Sequence, residues 1–324
     1  MKPMTRLNIA EKRSNAVKLV QISPDQAGQR LDNFLLTRLK GVPKSHIYRL
    51  LRSGQVRVNS GRKKPNYRLQ PGDNLRIPPV TIARNEKKPV PDSVLALVEA
   101  ARLFENKDIL VLNKPPGIAV HGGSALEFGL IEALRQLHPG QYIELVHRLD
   151  RQTSGCLVLA KNRATLSKLH QALRNEGNAR GKHAVTKSYI ALVAGLWQSG
   201  ERTIEFPLRK VRRSGEHRVE ISEHGAHAVS HFKLVQAYRD TSLMRVDIDT
   251  GRTHQIRVHA AAAGHPIAGD DKYGDAACNQ TMKKLGLKRL FLHASHIELP
   301  VGDGLSVHAP LTEDLTLLLE KLDR

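Results

Sequence analysis

The stretch Glu144–Lys161, ELVHRLDRQTSGCLVLAK, constrains the fold of this chain more than any other. An apolar run ends at Val146, and the segment His147-Arg148-Leu149-Asp150-Arg151 follows. Thr153-Ser154-Gly155 then closes a turn before a second apolar run, Cys156–Ala160. Two short apolar runs on either side of a glycine-containing loop predict two strands, with a carboxylate carried at the edge of a sheet. Asp150 stands between Arg148 and Arg151. Cations within about 6 Å favour an ionised carboxylate, and a charged aspartate suits a nucleophile or a base. A turn aspartate accepting backbone hydrogen bonds beside Ser and Thr fits the same pattern. The stretch alone leaves both roles open.

Charge points to a partner. The 324-residue chain carries a formal net charge of +20, and residues 1–90 hold 20 Lys and Arg against 5 Asp and Glu. The remainder holds 31 against 26. A basic front joined to a more balanced body predicts a nucleic-acid-docking module fused to a larger globular domain. Two cysteines, Cys156 and Cys278, make neither a disulfide framework nor a CxxC zinc site. No apolar stretch approaches the roughly 18 residues of a membrane span. The N-terminus shows no apolar signal segment, so the expected compartment is the cytoplasm.

Along the chain, residues 1–17 are polar and aperiodic and are expected to form a disordered basic tail. An ordered module is expected over residues 18–80. Leu31, Phe34, Leu35 and Leu39 have helical spacing, and Ser45 is a candidate cap for a second helix carrying Ile47, Leu50 and Leu51. The strand-like Gln55–Asn59, a basic turn from Arg62 to Arg68, and Leu75–Ile77 follow. Lys44, Arg49, Arg52 and Arg57 are interspersed among these elements and are candidate contacts to phosphates, which position a nucleic acid without reading its sequence. Residues 81–96 are charged and proline-containing and are expected as a linker. The large domain is expected over residues 97–324.

Within it, Asp108–Leu112 reads as a strand running into the turn Asn113–Gly117, with Lys114 a candidate phosphate contact. Arg163–Leu173 reads as a helix capped by Asn162, and residues 175–186 as a glycine-rich basic loop. Lys187–Val193, carrying Tyr189, reads as a strand, and Phe206–Ser222 as a second basic loop. Phe232–Tyr238 and Leu243–Ile248 alternate like paired strands. His254–Ala263 reads as a helix with Arg257 near its start. Arg289–Ile297 and Leu311–Leu322 read as a last strand and a surface helix. His254 and His259 are five residues apart with no acidic ligand between them, a poor spacing for one helical face, so no metal is expected.

HRLDRQTSG resembles the signature of the RluA family of pseudouridine synthases. KPPG…VHGG, the K-x-Y-x-A-x-V block around Tyr189 and GRTHQIR resemble further blocks of that family. The likeness extends from about Lys18 to the C-terminus and is strongest to members acting on large-subunit ribosomal RNA. Residues 18–80 resemble the αL RNA-binding domain first seen in a small-subunit ribosomal protein. The resemblance implies an α+β fold: a mixed, mainly antiparallel sheet with flanking helices and loops, preceded by the small αL domain. It implies isomerisation of uridine to pseudouridine in RNA without cofactor or metal.

The same resemblance makes Asp150 the catalytic residue, Tyr189 an active-site tyrosine stacked on the base, and Arg257 the partner of Asp150. Arg148 would fill the gap left by an extruded base, with Arg151 and Lys114 as further RNA contacts. The implied partner is large-subunit ribosomal RNA before or during assembly, with no membrane, no obligate protein partner and a monomeric chain. Two other classes fit parts of the sequence. A non-catalytic ribosome-assembly or RNA-chaperone protein would need only the basic module, and the intact motif blocks argue against it. A hydrolytic nuclease built on the many histidines would be metal-dependent.

Overall fold

A computed structural model describes residues 17–39, 41–80, 89–122, 128–174, 185–198, 200–213, 216–302 and 304–323. The expected tail up to residue 16 and most of the basic loop, 175–184, lie outside the described residues. The chain divides into two compact units, Met1–Lys87 and Lys88–Arg324.

The first unit comprises β1 (Lys18–Gln21), α1 (Leu31–Arg38), α2 (Lys44–Arg52), β2 (Arg57–Val58) and β3 (Asn74–Ile77). Its three strands form an antiparallel sheet in the order β1-β3-β2. Leu31 and Leu35 of α1 and Ile47, Leu50 and Leu51 of α2 share one core with Val58, Leu75 and Ile77. Asp32 is buried where the two helices meet. It accepts hydrogen bonds from Arg30 and the Tyr48 hydroxyl, and the Arg30 bond holds its carboxyl at about 2 against the opposing effect of burial. The second helix starts at Pro43 rather than at the expected Ser45 cap. The Pro43 carbonyl accepts from the His46 and Ile47 amides, so the entry needs no hydroxyl and Ser45 falls in the first turn. Lys44, Arg49, Arg52 and Arg57 are all exposed.

The second unit begins with a correction to the expected linker. Residues 92–100 form α3 (Asp92–Ala100) on Pro91, because Val94, Leu95 and Val98 pack into the core of this unit. There follow β4 (Arg102–Glu105), β5 (Ile109–Lys114), α4 (Leu130–Leu137), β6 (Glu144–Leu145), β7 (Ser154–Ala160), α5 (Arg163–Arg174) and β8 (Thr186–Ala194). Next come β9 (Glu201–Glu205), β10 (Leu208–Arg213), β11 (Glu216–Ile221), β12 (Val229–Ala237) and β13 (Thr241–Ile248). The unit ends with α6 (Gln255–Ala262), α7 (Ala276–Leu285), β14 (Leu292–Leu299), β15 (Leu305–His308) and α8 (Glu313–Leu322). Asn162 caps α5 as expected, its Oδ1 accepting the Thr165 amide at 2.8 Å.

Among the described residues, ten strands form one sheet along the path β4-β5-β7-β14-β8-β13-β12-β9, with β15 beside β14 and β6 beside β7. Every described pairing in it is antiparallel except β7 with β14. The whole of β7 is buried. A strand covered on both faces reads as an unbroken apolar run instead of an alternating one, and Cys156–Ala160 has that form. Residues 208–213 and 216–221, expected within a basic loop, pair as the antiparallel strands β10 and β11. Leu208 and Val219 are buried in a small cluster with Ala228 and Val258, which gives each charged strand one apolar anchor.

One row of residues runs across the sheet through the site described below. Lys114 of β5 pairs with Gly155 of β7, Gly155 with Ala294 of β14, and Ala294 with Tyr189 of β8. Gly155 has φ 107, and a Cβ there would collide with the Ala294 backbone. Gly155→Ala combines a left-handed backbone penalty of about 1–2 kcal/mol with that clash. Its expected loss of stability is about 2–4 kcal/mol, read as a lower urea midpoint; an unchanged midpoint would show that the two strands can part without cost.

Candidate active site

The loop that carries Asp150 is built by its flanking strands. β6 and β7 pair antiparallel, and the Val146 amide donates to the Val158 carbonyl at 3.0 Å, so the chain from 147 to 153 bulges out at the end of the hairpin. Leu149 is buried and anchors the bulge, while the neighbouring Asp150 side chain keeps 20% of its surface. His147 accepts the Val158 amide at Nε2, 3.1 Å away. Burial holds its pKa well below the usual histidine range, so this imidazole is a neutral stitch and not a proton donor. The Thr153 amide donates to the Asp150 carbonyl and closes the turn.

Arg148, Asp150, Tyr189, His254 and Arg257 line one cleft, with Leu149, Ile248, Ile256 and Leu292 as apolar walls. The chain thus brings together residues more than a hundred positions apart. Tyr189 is buried and comes from β8. Arg257 stands in the first turn of α6, whose N-terminal end carries partial positive charge. Its Nη1 donates toward Asp150 Oδ2 at 3.5 Å.

That contact is not the main tie of Arg257. Its Nε and Nη2 make a bidentate pair with Asp270 Oδ2 and Oδ1, both at 2.7 Å, and Nη2 also reaches Asp271 Oδ1 at 3.4 Å. The expected pairing of Arg257 with Asp150 is therefore corrected to a shared one, in which Asp270 is the close partner. Burial works against the charge on both members, yet their mutual hydrogen bonds win, raising the Arg257 pKa and lowering that of Asp270. The Lys272 and Tyr273 amides also donate to Asp270 Oδ1, and the Arg257 guanidinium lies over the Tyr273 ring at 5.1 Å.

Sequence reasoning did not assign Asp270, Tyr273 or the cleft-facing role of His254. The signal was present in GDDKYG, where two adjacent acids follow the GRTHQIR block. The two candidate cations beside the loop fare differently. Arg151 is exposed, and its Nε donates to the Gly117 carbonyl while its own carbonyl accepts the Gly117 amide, which ties the KPPG turn to the Asp150 loop. Lys114 is corrected. It is fully buried, with Nζ donating to the carbonyls of Pro115, Ile118 and Arg151, and burial pushes its pKa down to about 7. An ammonium enclosed this way holds backbone and has no path to a phosphate. His259, the other histidine of the pair, is buried against Ser230 and the Phe206 carbonyl, away from the cleft.

Comparison with known proteins gives this geometry a lineage. The family model described as RNA pseudouridylate synthase matches residues 108–262, which include Asp150, Tyr189 and Arg257, and the S4 domain model matches residues 29–75. Ribosomal large subunit pseudouridine synthase C of Pasteurella multocida is 49% identical over 316 residues, covering 95% of each chain. The protein of that name from Salmonella typhi is 50% identical over 317 residues, covering 95% of this chain and 97% of its own. Among solved structures, human RNA pseudouridylate synthase domain containing 4 matches with a TM-score of 0.59 at 25% identity, over 72% of this chain and 96% of its own. With a relative so similar along nearly its whole length, and the three motif residues gathered in one cleft, the chain belongs to the RNA pseudouridylate synthase family.

Proposed function

We propose that this protein isomerises uridine to pseudouridine in large-subunit ribosomal RNA, with Asp150 as the reacting carboxylate. The observation that carries the reading is the meeting of Asp150, Arg257, Tyr189 and Arg148 in one cleft. The relatives' names supply the substrate class.

A uridine inside folded RNA is out of reach of a side chain on a loop, so the nucleotide is extruded at a cost of roughly a few kcal/mol. Arg148, exposed at the cleft, takes the vacated place in the base stack. The Tyr189 ring stacks against the extruded base. Asp150 then acts on the ribose–uracil unit as nucleophile or base. The bond from ribose C1′ to N1 breaks, the base turns, and a bond from C1′ to C5 forms. C5 gives up its proton and N1 gains one, so substrate and product are isomers and no redox partner enters the balance.

The first unit supplies sequence-independent affinity through Lys44, Arg49, Arg52 and Arg57. Removing residues 1–87 is expected to weaken RNA binding and to flatten its salt dependence, by about 0.7–0.9 in log–log slope for each phosphate that is no longer neutralised. A titration across salt concentrations that returns the full-length slope would remove this unit from the binding account. The protein acts in the cytoplasm as a monomer, on RNA that is not yet fully assembled into the subunit.

The test of the reading is incubation of the purified protein with unmodified large-subunit ribosomal RNA, followed by carbodiimide labelling of pseudouridine. New labelled positions should appear with chelator present. RNA that is bound but never labelled would leave only an RNA-holding protein.

A further inference from the structure

We propose that His254 is a positioning residue for Asp150 in the reaction put forward above, and that Tyr273 sets its tautomer. The hydrogen bonds run in one direction. The Val219 amide of β11 donates to the Tyr273 hydroxyl oxygen at 2.9 Å, because a backbone amide has no other choice. The hydroxyl's own proton then goes to His254 Nδ1, 2.9 Å away, since the hydroxyl meets no other acceptor among the described residues. A neutral imidazole that accepts at Nδ1 carries its proton on Nε2. Nε2 faces Asp150 Oδ2 at 3.7 Å.

Two donors therefore address the same carboxylate oxygen, His254 Nε2 and Arg257 Nη1. Among the described residues no hydrogen bond reaches Asp150 Oδ1, which leaves that oxygen for the ribose–uracil unit. Shortening 3.7 Å to a hydrogen bond needs a shift of about 1 Å, of the kind that substrate binding produces in active sites. Burial keeps the imidazole neutral by lowering its pKa; Asp150 and Asp270 oppose this, while Arg257 and Lys272 reinforce it.

The backbone supports the same role. His254 has φ 54, in the left-handed region, immediately before α6. Glycine would occupy that conformation without strain, yet the chain places an imidazole there. Side chains held in disfavoured backbone are kept where their surroundings enforce a geometry. The Tyr273 hydroxyl, itself pinned by β11, supplies that enforcement.

The test separates positioning from packing. Tyr273→Phe keeps the ring over Arg257 and removes only the hydroxyl. It is expected to slow single-turnover pseudouridine formation about tenfold, the size of one lost hydrogen bond, with RNA Kd within twofold. His254→Phe is expected to slow it about a hundredfold, and His254→Gln, which retains a side-chain N–H, to recover most of that loss. Nitrogen-15 resonances of wild-type His254 should show an acceptor Nδ1 and a protonated Nε2, and Tyr273→Phe should mix the tautomers. That wild-type spectrum decides the tautomer even where a variant fails to fold. A wild-type proton on Nδ1 overturns the inference. So do undiminished rates in Tyr273→Phe and His254→Phe alongside an inactive Asp150→Asn. An active Asp150→Asn would instead defeat the reading of the reaction and take this inference with it.

Discussion

Asp150→Asn should lower the rate of pseudouridine formation by about 10⁴-fold or more while RNA affinity stays within a few-fold. The amide is nearly isosteric, so Leu149 still anchors the loop and the Thr153 turn still closes. What disappears is the negative oxygen that can attack or take a proton, and a neutral amide does neither. At 1.36 kcal/mol per decade, four decades amount to about 5.5 kcal/mol of barrier, a normal magnitude for the loss of a reacting group. Affinity is spared because binding rests on many phosphate contacts and not on a carboxylate that repels them. Single-turnover kinetics beside filter binding separates the two quantities. A loss confined to binding would move Asp150 out of the chemistry.

Asp270→Asn should cost about 3 kcal/mol of folding stability and about a hundredfold in turnover. Arg257 is nearly buried, and two hydrogen bonds of 2.7 Å to Asp270 are what make its charge tolerable there. Removing one partner of a buried pair leaves an uncompensated charge, a loss of about 3–5 kcal/mol in measured cases, and the retained amide oxygen places this variant at the lower end. The effect on turnover follows from division of labour on one guanidinium. Asp270 occupies Nε and Nη2, so only Nη1 addresses Asp150, at a loose 3.5 Å. Without Asp270 the guanidinium is released to close fully on Asp150, and a carboxylate locked in a tight pair is a poorer nucleophile and base. Chemical denaturation and single-turnover rates check the two halves separately. Wild-type turnover in a destabilised Asp270→Asn would confine this residue to folding.

How much of this was legible beforehand depended on whether the information was local. The Asp150 loop was readable because β7 is buried on both faces, and its unbroken apolar run marks a strand wherever it stands in the fold. Tyr189 and Arg257 were reached through resemblance; nothing in the spacing of residues 150, 189 and 257 brings them together, and only the path of the sheet does. Asp270 was missed because its contact with Arg257 depends on how the chain turns after α6. The paired strands β10 and β11 have the sequence pattern of a loop because they are strewn with Arg and Lys and, among the described residues, carry one buried residue each, too few for an alternating pattern. Lys114 misled for the opposite reason. A lysine at a strand end reads as surface, yet here three carbonyls converge on its ammonium and the side chain is fully buried. α3 was hidden by its neighbours, since the charged residues before Pro91 gave the whole stretch the composition of a linker.

The most direct measurement follows one atom. Formation of the C1′–C5 bond expels the hydrogen of uridine C5, so large-subunit ribosomal RNA carrying tritium at that carbon reports each turnover. The wild-type protein is predicted to release one tritium for each pseudouridine formed, with chelator present, and Asp150→Asn to release none above background. Tritium release by Asp150→Asn at the wild-type rate would contradict the assignment of the chemistry to that carboxylate.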